Sequence, residues 1–455
     1  METPNLWKYP FHFFQGLGSL PFTFLEDDWA VAKFIINGGK TIGGTFHPRG
    51  NKNAVLPMLA ACVLTDQPVV LHNVPLINDV KVMLELLETL GGEVALDGHT
   101  VTLCAKSLRT TELDQELCTR VRTSILLAGP LVARHGSATI YPPGGDVIGR
   151  RRLDTHFYGL RSLGAEISTD QAYRFKAEPL KAWKMVFDEA SVTATENIMM
   201  AATLAKGTST IYNAACEPHV QDLAQLLNQM GADISGIGTN NLTIHGVEKL
   251  HGTEYTVQPD YIEVGSYIAA AVVTGGQLTI PNAGEPLVLQ VMQRTFSKLG
   301  VEWTRDGRTL IVPQQAERCI RPDEGNATPK IEDGIWPAFP SDLMSVCIVL
   351  ATQTQGTALF FEKMFESRMY FVDHLMAMGA NIIPCDPHRV VVVGPTKLRG
   401  GTLTSPDIRA GMAMLIAACC AEGESVIKNA QVIDRGYEAI EDRLSALGAD
   451  IVRVD

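Results

Sequence analysis

The sequence predicts an α/β protein of two domains, with helices inside and sheets outside, built from six repeated units. Three observations predict it. First, a signature recurs six times: an amphipathic helix, then Leu or Met, then Gly, a small residue and an apolar strand start. The copies are Leu90-Gly91-Gly92, Leu163-Gly164-Ala165, Met230-Gly231-Ala232, Leu299-Gly300-Val301, Met378-Gly379-Ala380 and Leu447-Gly448-Ala449. Their glycines lie 73, 67, 69, 79 and 69 residues apart. Second, a helix apolar on nearly every face precedes each copy, as in Ile198–Ala202, Tyr267–Ala271 and Met412–Ile416; such a helix belongs in a domain centre. Third, the strands alternate, as in Thr100-Val101-Thr102-Leu103, so each has one wet face.

Each unit of the repeat therefore reads strand–helix–strand–helix–strand–strand. The recurrent glycine sits where a helix stops and the chain turns through a left-handed conformation into a strand. In the first copy Val80, Met83, Leu84, Leu87 and Leu90 follow the helical period, with Asn78 as the expected N-cap. Six units divide into two domains of three: residues 51–258, and residues 33–50 with 259–455. A single strand from Phe34 to about Thr45 has no helix in front of it and is expected to close the C-terminal units. Two connections then join the domains around a cleft. Residues 1–32 form an N-terminal extension rich in aromatics, read either as a packed arm or as a product of an upstream start codon.

Composition bounds the function. The chain has 455 residues, 46% of them hydrophobic, and a formal net charge of −12. That field opposes general binding to nucleic acid or anionic membrane, so any anion site must be local. No apolar run reaches the ~18 residues of a membrane span. The nine cysteines show no CxxC and no Cys/His ligand spacing, so zinc is not expected. An odd count within apolar stretches fits reduced core residues of a cytoplasmic protein.

One segment is chemically distinctive: Pro142 to His156, reading Pro-Pro-Gly-Gly-Asp-Val-Ile-Gly-Arg-Arg-Arg-Leu-Asp-Thr-His. Three glycines around Asp146 make a mobile loop. Arg150, Arg151 and Arg152 make a local anion site, because guanidinium offers a planar fork of donors. Taken alone, the segment is equally a solvated surface loop. Charged residues also open the apolar helices: Lys52-Asn53, Arg122, Asp342 and Arg409. Helix N-termini suit anions, and a common repeat geometry aims equivalent positions at one cleft.

With Lys52-Asn53-Ala54, Arg122-Thr123-Ser124-Ile125, the Pro143–Gly149 and Arg151–His156 segments, Ser191-Val192, Phe339-Pro340-Ser341-Asp342, Phe365-Glu366-Ser367-Arg368, Asp407-Ile408-Arg409 and Asp434–Glu438, residues 33–455 resemble the enolpyruvyl transferases. The Arg151–Asp154 segment looks like the branch that uses a nucleotide sugar rather than shikimate 3-phosphate. The resemblance implies two inside-out α/β domains with the active site between them. It implies transfer of the enolpyruvyl group of phosphoenolpyruvate to the 3′-hydroxyl of UDP-N-acetylglucosamine, with release of phosphate, by addition and elimination at the start of peptidoglycan synthesis. It implies no cofactor and no metal. A monomer is expected, since the cleft needs one chain.

The resemblance also implies roles. Asp342 takes the proton of the attacking hydroxyl. Lys52, Arg122, Arg151 and Arg435 hold the phosphate, and Arg368 and Arg409 the carboxylate. Asn53, Arg122, Arg151, Arg152, Leu153, Asp154, Ser191, Val192, Asp342, Met364 and Asp407 line the nucleotide-sugar side. Asp146 protonates C3 of phosphoenolpyruvate where most members carry Cys. A carboxyl ordinarily titrates near ~3.9 and a thiol near ~8.5, so activity is expected to fall earlier on the alkaline side than in a Cys form. Insensitivity to thiol-trapping epoxides such as fosfomycin is expected too. Arg152, Glu189 and Thr193 depart from the usual Pro, Lys and Gly. Two alternatives follow: another uridine nucleotide as acceptor, or a catalytically silent binder of UDP-sugar.

Overall fold

A computed structural model describes residues 32–146, 148–315 and 317–455. Except for Ala32, the expected N-terminal extension lies outside the described residues. The repeat appears as six small sheets around buried helices. One complete unit runs strand Lys330–Glu332, helix Met344–Thr352, strand Gly356–Phe361, helix Val372–Ala377, then strands Asn381–Asp386 and Arg389–Gly394. In space its strands lie first, second, fourth, third. Five sheets have four strands: three keep this order, and in the other two one place is filled from elsewhere in the chain, by Glu254–Thr256 and by Lys33–Asn37; the sheet formed by Ser137–Ile140, Glu166–Thr169 and Tyr173–Lys176 has three.

The recurrent glycines do what the signature predicts. Gly91, Gly164, Gly231, Gly300, Gly379 and Gly448 all have positive φ, between 71° and 106°. In each, the glycine N–H bonds back three residues and the next N–H bonds back five. That closes the orphan carbonyls of the preceding helix before the strand starts. The cap of the first such helix differs from expectation. Asn78 is the first residue of helix Asn78–Thr89, Ile77 holds the cap position, and no side chain caps it.

The expected strand from Phe34 to Thr45 is two strands. Lys33–Asn37 inserts between Glu424–Lys428 and Asp450–Val454, antiparallel to both. Gly44–Thr45 pairs in parallel with Leu278–Ile280 in the neighbouring unit. The break falls at glycines; Gly39 and Gly44 have positive φ, and a Cβ on Gly38 would meet the Ala421 carbonyl oxygen at 2.1 Å.

Buried apolar side chains form two clusters. One is drawn from residues between Ala54 and Val257. The other combines Ala32 to Phe46 with residues from Tyr261 to Ile451, plus Cys216. The central helices are buried all round: every residue of Tyr261–Val273 and of Met344–Thr352 is buried. Some of their polar groups are satisfied in place, as where Ser266 Oγ meets Tyr437 OH at 2.9 Å, whereas Tyr267 OH has no partner among the described residues. The outer strands are wet, and Glu93–Asp97 is exposed at all but Val94. The chain crosses between the clusters twice, side by side. Asn51 N–H donates to the Gln258 carbonyl at 2.8 Å, and Asp260 N–H to that of Arg49 at 2.8 Å. Gly50 sits at this crossing because a Cβ would meet the Asn73 carbonyl oxygen at 2.0 Å.

Cys62, Cys118, Cys216, Cys347 and Cys419 are buried, Cys319 and Cys385 are exposed, and all nine are free thiols. Among the described residues no helix is long and apolar enough to cross a membrane.

Candidate active site

The apolar helices begin at one place between the two clusters, and their first turns carry the charged residues. Asn51 caps helix Lys52–Ala61 by accepting from the N–H groups of Asn53 and Ala54, which puts Lys52 in the first turn. Asp407 caps helix Ile408–Cys420 in the same way, at 2.8 Å from Arg409 N and 3.0 Å from Ala410 N. Arg122 opens the 3₁₀ turn Arg122–Leu127, and Asp342 sits in the 3₁₀ turn Ser341–Leu343. A cavity of about 260 Å³ opens between them.

Lys52, Asn53, Arg122, Asp146, Arg151, Val192, Asp342, Met364, Arg368, Arg409 and Arg435 all line it. The other expected residues frame it without lining it. Arg152 and Asp154 are exposed and pair with each other, Nε to Oδ2 at 2.5 Å. Leu153 is packed into the core. Ser191 holds the cap position of helix Val192–Ala202, and Asp407 is occupied as a cap. Of the departures, Thr193 lines the cavity and meets His156 Nε2 at 3.1 Å, whereas Glu189 faces solvent beside Thr155.

Asp342 is held between two arginines. Its Oδ1 is 3.0 Å from Arg368 Nη2 and its Oδ2 is 2.8 Å from Arg409 Nη2. Burial alone would raise its carboxyl, but Arg409 and Arg368 outweigh burial and hold it far below the usual carboxylate range. Arg368 keeps two buried N–H groups, at Nε and Nη1, without a partner. Arg122 donates only to the Arg151 carbonyl, and the Arg151 side chain has no partner among the described residues. Burial, then the Arg151 charge, brings Arg122 down to about 10. These donors are uncommitted and face one space, which is an anion site.

The opposite arginine closes the site. Arg435 Nη1 lies 2.5 Å from Asp146 Oδ1, and its Nε lies 2.9 Å from Asp79 Oδ1. Asp79 also takes Lys52 Nζ at 2.8 Å. Asp146 therefore reaches across the cleft, as does its loop: Arg150 N–H donates to Glu366 Oε2 at 3.1 Å.

Asp79, Glu196, Glu217 and His219 also line the cavity, and sequence reasoning missed them. Glu196 carried a signal, being an acid just before the apolar run Ile198–Ala202. Burial, then Glu217, pushes its carboxyl well up. Burial pushes Glu217 up as well. Six cations thus face five acids, two of which burial shifts towards the neutral form.

Asp79 yields a stability prediction. Burial acts to raise its carboxyl, but Lys52 and Arg435 outweigh burial and the net shift is downward. A depressed carboxyl stabilises the fold above its unfolded value of ~3.9, and that contribution is lost as pH falls through the folded value. Asp79→Ala leaves the buried Lys52 without its carboxylate and strips Arg435 of one of its two, which costs about 3–5 kcal/mol. Denaturant unfolding at neutral pH should show this loss, and it should shrink in acid.

The comparisons with known proteins agree with this geometry. A family model described as EPSP synthase (3-phosphoshikimate 1-carboxyvinyltransferase) matches residues 36–444. The UDP-N-acetylglucosamine 1-carboxyvinyltransferase of Treponema denticola is 53% identical over 92% of this chain and 98% of its own. The protein of the same name from Bradyrhizobium diazoefficiens is 53% identical over 93% of this chain and 99% of its own. Among solved structures, the enolpyruvyl transferase NikO from Streptomyces tendae superposes with a TM-score of 0.83 at 24% identity, covering 93% of this chain and 99% of that one. EPSP synthase from Acinetobacter baumannii superposes at 0.72 and 17% identity, covering 93% and 100%; at these identities both structures speak for the fold. The chain belongs to the enolpyruvyl transferase family.

Proposed function

We propose that this protein transfers the enolpyruvyl group of phosphoenolpyruvate to the 3′-hydroxyl of UDP-N-acetylglucosamine, releasing phosphate, as the first committed step of peptidoglycan synthesis. The observation that carries the reading is Asp342 clasped by Arg368 and Arg409 inside a cavity where Arg122 and Arg151 have no carboxylate partner among the described residues. Residues 51–258 would form one domain and residues 33–50 with 259–455 the other, closing on the substrates. The enzyme would work as a cytoplasmic monomer.

Lys52, Arg122, Arg151 and Arg435 take the phosphate of the donor, and Arg368 and Arg409 take its carboxylate. As the carboxylate engages these two guanidiniums, they loosen their hold on Asp342. The Asp342 carboxyl then rises from its depressed value and becomes a competent base. The 3′-hydroxyl loses its proton to Asp342 and its oxygen bonds to C2 of the donor. Asp146 supplies the proton that C3 gains, which gives a tetrahedral ketal. Cleavage of the C2–O bond to phosphate and return of a C3 proton to Asp146 restore the double bond, and the proton held by Asp342 leaves with the phosphate. Fixed positive charge stabilises the leaving phosphate throughout.

Phosphate release by the purified protein, measured with both substrates from mildly acidic to alkaline pH, tests this. Release should require both substrates and vanish in Asp146→Asn. Release with another uridine nucleotide in place of UDP-N-acetylglucosamine would move the assignment to that acceptor. Absence of release with any of them would leave a silent binder.

A further inference from the structure

Behind Arg368 lies a pair of acids that the reaction above does not use. Strands Lys330–Glu332 and Gly356–Phe361 run parallel, with Glu332 opposite Phe361. Asp333 and Glu362 are the next residues on each, so they continue the register side by side. Both are fully buried. Glu362 is well supplied with donors. Ser341 Oγ lies 2.9 Å from each of its oxygens, and the N–H groups of Met364 and Phe365 lie 3.1 Å from Oε1. Asp333 Oδ1 takes the Lys363 N–H at 2.6 Å. Asp333 Oδ2 has no partner, and its carboxyl meets that of Glu362. Arg368 Nε stands 4.0 Å from Glu362 Oε2 and makes no hydrogen bond there.

Two touching, fully buried carboxyls cannot both ionise cheaply. A proton between them supplies the donor that Asp333 Oδ2 lacks. We propose that Asp333 and Glu362 share one proton, and that this protonated pair keeps Arg368 available to the carboxylate of the donor substrate. Both are positioning residues that act through Arg368, and the proposal rests on the function assigned above. Loss of the proton puts a second negative charge beside Arg368 Nε. The guanidinium then turns to Glu362 and away from the ligand.

Burial, reinforced by the Asp333 contact, pushes the Glu362 carboxyl well up, so the pair holds its proton more tightly than an ordinary carboxyl does. The other charged or titratable groups around the pair are few. Arg368 faces it, and Asp342 lies beyond Arg368. His388 Nδ1 sits on the Glu362 carbonyl. Lys330, Lys363 and Glu332 form a surface network on the outer side.

The test is the KM for phosphoenolpyruvate against pH, at saturating UDP-N-acetylglucosamine. In the wild type KM should be flat near neutrality. It should then rise about tenfold per pH unit above the value at which the pair loses its proton. Asp333→Asn carries one fixed negative charge, on Glu362, and offers it an N–H. Its KM near neutrality should match the wild type and the alkaline rise should disappear. Glu362→Gln gives the same expectation from the other side, so either variant alone suffices if one fails to fold. A rise from any other group, such as Lys52, would persist in both variants. Wild-type KM that stays flat to strongly alkaline pH, or an equal rise in both variants, overturns the pair. An inactive wild type near neutrality overturns the assigned function instead.

Discussion

Asp342→Asn should lower turnover by about 10²–10⁴-fold, the usual worth of a positioned general base, while donor binding is retained or tightened. The two effects follow from one contact. In the structure the carboxylate of Asp342 occupies one Nη of Arg368 and one of Arg409. In the proposed mechanism the donor carboxylate takes those same guanidiniums. Asparagine keeps the size of the side chain and removes the competing charge. Arg368 and Arg409 then have a stronger need of an anion, and binding energy spent on displacing Asp342 is no longer required. The base is lost with the charge. Steady-state phosphate release with the KM for phosphoenolpyruvate, read beside the unfolding midpoint of the variant, measures both. A variant whose KM rises sharply while turnover holds would make Asp342 a binding residue only.

Much of this site was legible because each unit repeats the same backbone problem. The six glycines mark helix ends that demand positive φ, a local requirement that sequence states directly. Lys52, Arg122, Asp342 and Arg409 were legible because each interrupts the start of an apolar helix, where a charge has no packing role. A second repeating signal was missed. Asn73, Asn213, Asn282 and Asn429 all have positive φ just after the second strand of their units. The two units without such an asparagine run on instead into the loops of Asp146 and of Met364–Arg368, both of which line the cavity. The turn was given up where the chain had to reach the substrate.

Asp79, Glu217 and Glu362 were not legible, because their meaning lies in a partner far along the chain. Asp79 looks like an ordinary acid in the first turn of a helix until Arg435, 356 residues later, arrives on it. Glu362 and Asp333 look like strand-end acids until register makes them neighbours. Local pattern fixes which residues begin a helix. Only the packing of the two core clusters beside each other decides which of those beginnings meet.

Asp146→Cys should turn an enzyme indifferent to fosfomycin into one that is covalently inactivated by it, while Asp146→Asn should lose about 10²–10⁴-fold in turnover. The wild-type side chain is a carboxyl beside Arg435, in the same cavity as the uncommitted Arg122 and Arg151. An anionic epoxide is drawn into that cavity by charge alone, so binding is expected in every variant. What differs is the nucleophile. A carboxylate opens an unactivated epoxide slowly, whereas thiolate is intrinsically nucleophilic, and neighbouring arginine lowers a thiol pKa and raises its thiolate fraction. Cysteine also retains a transferable proton, so Asp146→Cys should keep turnover where the amide cannot. Intact mass after incubation gives the answer: one adduct on Asp146→Cys, none on the wild type or Asp146→Asn. The nine native thiols provide the internal control, since five are buried and the wild type carries all nine. Rapid adduct formation on the wild type would place the nucleophile elsewhere and remove Asp146 from its role as the proton donor at C3.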